Sequence, residues 1–588
     1  MKNSLQTPRR PLGTWLTWLV TAVLASLSLP SIISRVGTAN VPAAPPGVQF
    51  TDITPQSGIR FRHASAPEKR YIVESMGGGV ALFDTNNDGC LDIYFTNALT
   101  VDTANDPKRS PSALYRGHCD GTFEDVTDGS GLAYPGWAFG VAAADYDGDG
   151  FMDLYVTCLG PNRLYRNLGN GTFEDVTAKA GVDDPRWSTG AAFGDLDNDN
   201  RLDLFVANYV DFKLDSLPEF GQGKYCRYHD VLVQCGPRGL RGAGDSLFRN
   251  NGDGTFANVT QKAGVADPDG RYGMSAVWLD ADDDAWQDIY VANDAGPNFL
   301  YRNSHDGTFT EDGFLAGVAV GTEGLLQGSM GIAVGDYLHS GKFAVFVTNF
   351  EDEYNALYRH DGELLYTDVS MPAGLARLAG PYVGWGTAFF DYDNNGWLDL
   401  LVVNGHVYPQ LDNIDVGSRY KQRMVLLENQ RNGTFSEVAA KFGDVLTTPR
   451  VSRGAAFGDW DNDGDIDIVV SNLDGGPLII RNDGGNRNNW VTIKLEQAGP
   501  NRDALGARVK VVAGNLVQWS EVRSGGSYLS VSDIRLHFGL EQQKRVDLIE
   551  VHWPGGRVEQ FRDLPVNRFL TISEGRSIIK DEPPRKTH

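Results

Sequence analysis

Seven times between Asp84 and Asp467 the chain repeats a short acidic loop. The fullest copy reads Asp145-Tyr-Asp147-Gly-Asp149-Gly150-Phe-Met-Asp153, ahead of the strand-like run Leu154-Tyr-Val-Thr. Oxygen side chains at loop positions 1, 3, 5 and 9, with a backbone carbonyl at position 7, can surround one hard cation that takes about 6–8 oxygens at roughly 2.3–2.6 Å, which is calcium-ligand spacing. Glycine at position 6 supplies the left-handed turn that folds the ligands inward. Asp, Asn and Gly are ordinary turn residues in any single loop, but repeated matches in register point to a metal.

Six copies are competent by this pattern. They carry Asp84, Asn86, Asp88 and Asp92; Asp145, Asp147, Asp149 and Asp153; Asp195, Asp197, Asp199 and Asp203; Asp280, Asp282, Asp284 and Asp288; Asp391, Asp393, Asn395 and Asp399; and Asp459, Asp461, Asp463 and Asp467. Asn200 replaces the turn glycine in the third, which asparagine tolerates. Ala285 does so in the fourth, at about 1 kcal/mol of strain. The fifth copy keeps Asp336 and Gly341 but has Leu338, Ser340 and Ala344 where oxygens are needed, and reads as a metal-free turn.

Between the loops the words Leu164-Tyr-Arg-Asn167 and Gly171-Thr-Phe173 recur as Leu300-Tyr-Arg-Asn303 and Gly307-Thr-Phe309, giving four short strands per unit. Radial repeats of four-stranded sheets are the signature of a β-propeller, and seven loops imply seven blades. Val48–Thr54 is a fourth strand with no blade before it, and the seventh unit ends after its third strand at Asn482. The N-terminal strand should therefore complete the last blade, closing the ring and protecting its edges. The fold class is all-β, a seven-bladed propeller over residues 48–486 followed by a small all-β domain over 487–576 and a polar tail, 577–588.

The repeats resemble FG-GAP, or VCBS-type, calcium-loop repeats. Gly506-Ala-Arg-Val509, Gly525-Gly526-Ser-Tyr-Leu529, Leu536-His-Phe-Gly539 and Val551-His-Trp-Pro-Gly555 resemble the ASPIC/UnbV domain. Together they are similar to the cartilage acidic protein family, and the resemblance implies an extracellular calcium-binding protein without implying a chemistry.

The formal charge of −24 over 588 residues excludes nucleic acid as a partner, because its phosphates would be repelled. Lys2, Arg9 and Arg10 precede an apolar stretch, Leu12–Ile33, with no charge before Arg35. Residues 1–39 read as an export signal or a retained N-terminal membrane anchor, with everything after them outside, periplasmic or extracellular. A Pro/Ala linker, 40–47, follows. About six calcium ions are expected as cofactors, and an exported chain would meet enough calcium to fill weak sites.

In such blades the acidic loops share one face with the turns between third and fourth strands. That geometry sets Cys90 near Cys119 as a disulfide; Cys226 and Cys235 bracket an insertion and form a second, and Cys158 is left as a buried thiol. The opposite face collects His63, Glu74, the insertion 209–243, Trp137, Trp187, Tyr272, Trp385, Arg453 and His406. Two functions follow. The first is a calcium-rigidified binding or adhesion module for an extracellular protein, glycan or surface. The second is an oxidative, metal-dependent enzyme using His63, Glu74 and His406.

Overall fold

The computed structural model describes residues 47–585 apart from 67, 105–110, 214, 216–219, 379 and 474. The segment read as signal or anchor, and the linker before Gly47, lie outside the described residues. Among the described residues no helix is long and apolar enough to cross a membrane.

Seven antiparallel sheets follow one another along the chain, each of four strands except that of blade 4, which also pairs the short strand Gln327–Gly328. In blade 2 the strands are Ala138–Ala144, Asp153–Cys158, Arg163–Asn167 and Phe173–Asp175. The first two strands of a blade are buried on both faces, so they read as continuous apolar or small-residue runs. The fourth strand of blade 2 exposes every residue but its leading phenylalanine. Closure follows the sequence expectation: Gln49–Asp52 pairs with Leu478–Asp483, Phe50 opposite Asn482. Each inner strand lies beside the next, and that of blade 7, Ser452–Gly458, lies beside that of blade 1, Val80–Phe83. Glycine permits this approach. A Cβ on Gly140 would stand 2.4 Å from the Thr189 carbonyl of blade 3, and one on Gly454 2.3 Å from the Gly78 carbonyl before blade 1.

After Arg487 the chain builds two four-stranded sheets. One has the order Leu536–Glu541, Asn489–Glu496, Arg568–Ser573, Ser577–Glu582; the other Leu516–Glu521, Arg508–Ala513, Arg545–His552, Val558–Pro565. The reading of 577–588 as a polar tail needs correction, because Ser577–Glu582 pairs antiparallel with Arg568–Ser573. It is an edge strand, and its last three residues, Lys580, Asp581 and Glu582, are charged and exposed, which guards the open edge.

This C-terminal domain packs on the acidic-loop face of the propeller, and the segment Ser524–Ser532 enters the central channel. Backbone or serine groups of this plug hydrogen-bond to the inner strand of every blade: Leu82, Val141, Phe193, Ala276, Ile332, Thr387 and Ala455. Gly525 and Gly526 hold φ of 90° and 93°, and a Cβ on Gly525 would meet the Ala192 side chain at 2.7 Å. Tyr528 and Leu529, fully buried, join Trp137, Phe139, Trp187 and Trp385 in the core that fills the channel. Leu529→Ala is expected to cost roughly 2–5 kcal/mol in urea unfolding, since the channel walls cannot collapse onto the gap. A loss under about 1 kcal/mol would mean that the channel does not depend on the plug.

Candidate metal centres in the blade loops

The acidic loops are built by their own backbone. In all seven, the position 1 carboxylate accepts the N–H groups of positions 5 and 6, as Asp145 does from Asp149 and Gly150 at 3.0 and 2.8 Å. Position 6 is left-handed throughout, including Asn200 at φ 63° and Ala285 at φ 68°. Position 4 is left-handed too, at Asn87, Gly148, Asn198, Asp283, His339, Asn394 and Asn462. That second requirement explains the Asn, Gly and Asp found there, residues whose turn preference is legible in the sequence.

Position 9 is a clamp. Asp153 accepts the Tyr146 N–H of its own loop at 3.1 Å and the Asn167 N–H at the end of the third strand at 2.7 Å. Asp92, Asp203, Asp288 and Asp467 make the same pair of bonds. The fifth loop has Ala344 there. Its Asp336 is nevertheless buried and accepts from Ser340 and Gly341, so it holds the turn even without metal-ligand partners.

Carboxylate oxygens converge. Asp145, Asp147 and Asp153 each place one within 4.8 Å of the others, as do Asp280, Asp282 and Asp288, and Asp391, Asp393 and Asp399; in the third loop the set is Asp195, Asp197 and Asp199. In the first loop Asp84 accepts the N–H groups of Asn86 and Asp88, and the Asn86 amide donates to Asp88 at 3.0 Å. Burial and mutual repulsion oppose ionisation. Burial, with Asp503 next, pushes Asp145 up to about 7; Asp195 rises to about 6 and Asp461 to about 7. Asp153, Asp203, Asp288, Asp399 and Asp467 rise well above the carboxylate range. Asp197 Oδ1, Asp282 Oδ1 and Asp399 Oδ2 are buried without a hydrogen-bond partner. An all-oxygen donor set with unpartnered buried oxygens fits a hard cation. The seventh loop adds a carboxylate at position 7, Asp465, whose buried Oδ1 is also unpartnered.

The Arg of the repeated Leu-Tyr-Arg-Asn word turns back to the loop. Arg249 bonds Asp197 and Asp199 at 2.7 and 2.9 Å, and Arg166 reaches Asp149 at 2.9 Å. The Asn joins blades: the Nδ2 of Asn167, Asn250, Asn303, Asn429 and Asn482 donates to the position 2 carbonyl of the preceding blade's loop, at 2.8–3.0 Å. In blade 5 the Tyr366 hydroxyl takes over, donating to Ala281 at 3.0 Å.

These repeats are matched by the FG-GAP-like repeat family over residues 84–156, 157–206 and 413–470, and residues 497–579 by the ASPIC and UnbV family. The chain thus carries FG-GAP-like repeats and an ASPIC and UnbV region over these residues. It is similar to cartilage acidic protein 1 of Homo sapiens, 24% identical over 62% of this chain and 52% of that one, and of Mus musculus, 25% identical over 50% and 42%. It thus spans about half the length of these relatives. A streptogramin B lyase structure aligns at 12% identity and TM-score 0.37, over 74% of this chain and 98% of that one.

On the opposite face Trp137, Trp187, Trp385, Arg453 and His406 are all buried, and Trp385 also lines a cavity on that face. Trp385 donates to the Gly405 carbonyl at 2.7 Å and packs on Tyr528, while Arg453 lies over its ring and bonds the carbonyls of Ser75, Gly405 and His406. His63, Glu74 and His406 have different partners. Glu74 accepts the N–H groups of Tyr71 and Val101. His406 faces Glu351 at 2.8 Å. His63 lies against Gly77, both ring nitrogens unpartnered. Both sequence-derived disulfides, Cys90–Cys119 and Cys226–Cys235, are formed, and Cys158 is a buried thiol.

Burial, then the charges of Lys69 and Arg453, lower His63 to about 3 from an ordinary 6.5. The unfolded chain therefore binds a proton between pH 6.5 and 3 that the folded chain refuses, so stability is full above 6.5 and falls as pH falls through that window. Urea midpoints measured from pH 7.5 to 5 should decline less for His63→Leu than for wild type. Parallel declines would place the acid sensitivity elsewhere.

Proposed function

We propose that the protein is an exported, calcium-stabilised propeller that acts as a binding or adhesion module for an extracellular protein, glycan or surface. The observation that carries this reading is the division of the two faces. The loop face is occupied: Arg508 pairs with Asp280 and Asp283, His537 with Asn394, Arg535 with Asn462, and Gln497 with Asn200, all from the C-terminal domain. On the opposite face the insertion after blade 3's second strand, held by Cys226–Cys235, frames a cavity of about 270 Å³ lined by Tyr209, Tyr225, Tyr228, Arg238, Asp294 and Glu353 among others. Burial lifts Asp294 to about 6 and Glu353 to about 7. Aromatic walls with a few convergent polar groups are the usual makeup of a ligand site. The two disulfides support an oxidising, extracytoplasmic location.

Calcium is the cation proposed for the six competent loops, 84–92, 145–153, 195–203, 280–288, 391–399 and 459–467. Bound there, it would neutralise carboxylates that otherwise repel and so tie each inner strand to its neighbour. At a hundredfold excess over its dissociation constant one site adds roughly 2.7 kcal/mol. Thermal unfolding in millimolar calcium should exceed that in chelator by many degrees, and equal midpoints would defeat the calcium assignment. Asp147→Ala is expected to remove one ion by metal analysis. Asp336→Ala should remove none yet cost about 1–3 kcal/mol, because the N–H groups of Ser340 and Gly341 lose a buried acceptor.

For recognition, Tyr225→Ala combined with Arg238→Ala should weaken binding on glycan and surface-protein arrays by at least about tenfold. Calcium-dependent melting should be unaltered, since both side chains are exposed. Unchanged binding would move the site away from this cavity.

A further inference from the structure

We propose that His229, Glu351 and Asp352 bind one divalent transition-metal ion on the face opposite the acidic loops. His229 stands at the tip of a small hairpin in which Arg227–Tyr228 pairs with Val231–Leu232. Its two turn residues, His229 and Asp230, hold φ of 44° and 64°, as a tight two-residue hairpin turn requires. The Cys226–Cys235 disulfide closes the base of this hairpin. Facing it is the turn that follows Ala344–Val347 of blade 5, where Phe350 accepts the Glu353 N–H and Gly380 the Asp352 N–H, fixing Glu351 and Asp352 side by side. One ring nitrogen of His229 and one oxygen from each carboxylate lie within 4.8 Å of one another.

Glu351 is 6% exposed, and its Oε2 lies 2.8 Å from His406 Nε2. His406 Nδ1 accepts the Tyr408 N–H at 3.0 Å, which places the proton of the neutral ring on Nε2 and directs it to Glu351. His406 is therefore a positioning residue behind the carboxylate, the arrangement that orients ligands in metal sites. Tyr228 packs against both His229 and His406, at 4.4 and 5.5 Å between ring centroids.

The donor set differs in kind from the acidic loops. One imidazole nitrogen and two carboxylates suit zinc, manganese or iron in the divalent state, and the two negative charges balance the ion. The site shares Tyr228 and Phe350 with the aromatic cavity, so an ion there would stand at the cavity rim. The proposal depends on neither the calcium assignment nor the partner.

The test is zinc titration by calorimetry, with metal analysis after dialysis, on the oxidised protein in saturating calcium. Wild type should take up one equivalent of zinc. His229→Ala, an exposed change on a disulfide-held hairpin, should weaken that uptake at least about a hundredfold while leaving calcium-dependent melting in place. Asp352→Asn, also exposed, should do the same. Absence of zinc uptake by wild type, or full uptake by His229→Ala, overturns the proposal.

Discussion

Everything in this molecule depends on how buried aspartates are held. Each competent blade folds its first two strands around a loop whose position 1 carboxylate collects two backbone N–H groups, and whose position 9 carboxylate ties the loop to the third strand. A buried carboxylate that accepts two backbone donors is well placed. Several of them crowded together are not, and the carboxyls rise out of their ordinary range as burial and mutual repulsion disfavour charge. The fold thus builds a strong demand for positive charge at one end of every such blade. Arginines of the third strand, such as Arg166 and Arg249, meet part of that demand from outside the loop.

From that end the ring is assembled. The asparagine that ends the third strand reaches the preceding loop's carbonyl, so a loop distorted in one blade is felt by the next. Blade 5, which lacks both the position 9 aspartate and the asparagine, keeps the link through Tyr366. The C-terminal domain then seats on the loops and sends Ser524–Ser532 down the axis, where inner-strand groups that face a channel rather than another strand find partners. A buried backbone donor without a partner is costly. The plug supplies partners to all seven blades at once, which makes propeller and C-terminal domain one compact unit.

This arrangement divides the labour between the faces. The face of repeated loops, which looks available when loops are read one by one, is roofed over by Arg508, Arg535, His537 and Gln497. The other face carries the variable connections, the disulfide-held hairpin and the aromatic cavity. Of its landmarks, Trp385 packs on Tyr528 of the plug with Arg453 over its ring, and His406 stands behind Glu351, while His229, Tyr225, Arg238 and Asp352 stay exposed.

The sequence by itself determined the blade number, the closure by Gln49–Asp52, both disulfides and the loop pattern, because each is local or repeats with a fixed period. A nine-residue loop with its acids in register, or a lone strand at one end of the repeat, carries its own spacing as evidence. Only the tertiary structure decided what fills the axis and which side chains share a site. Ser524–Ser532 looks like a glycine-rich turn until seven blades surround it. His229, Glu351 and Asp352 carry no motif, since their proximity depends on how the blade 3 insertion folds back over blade 5. His63, Glu74 and His406 share a face and yet separate for the same reason: residues brought near by topology still choose their partners by side-chain direction and by the nearest unsatisfied hydrogen-bonding group.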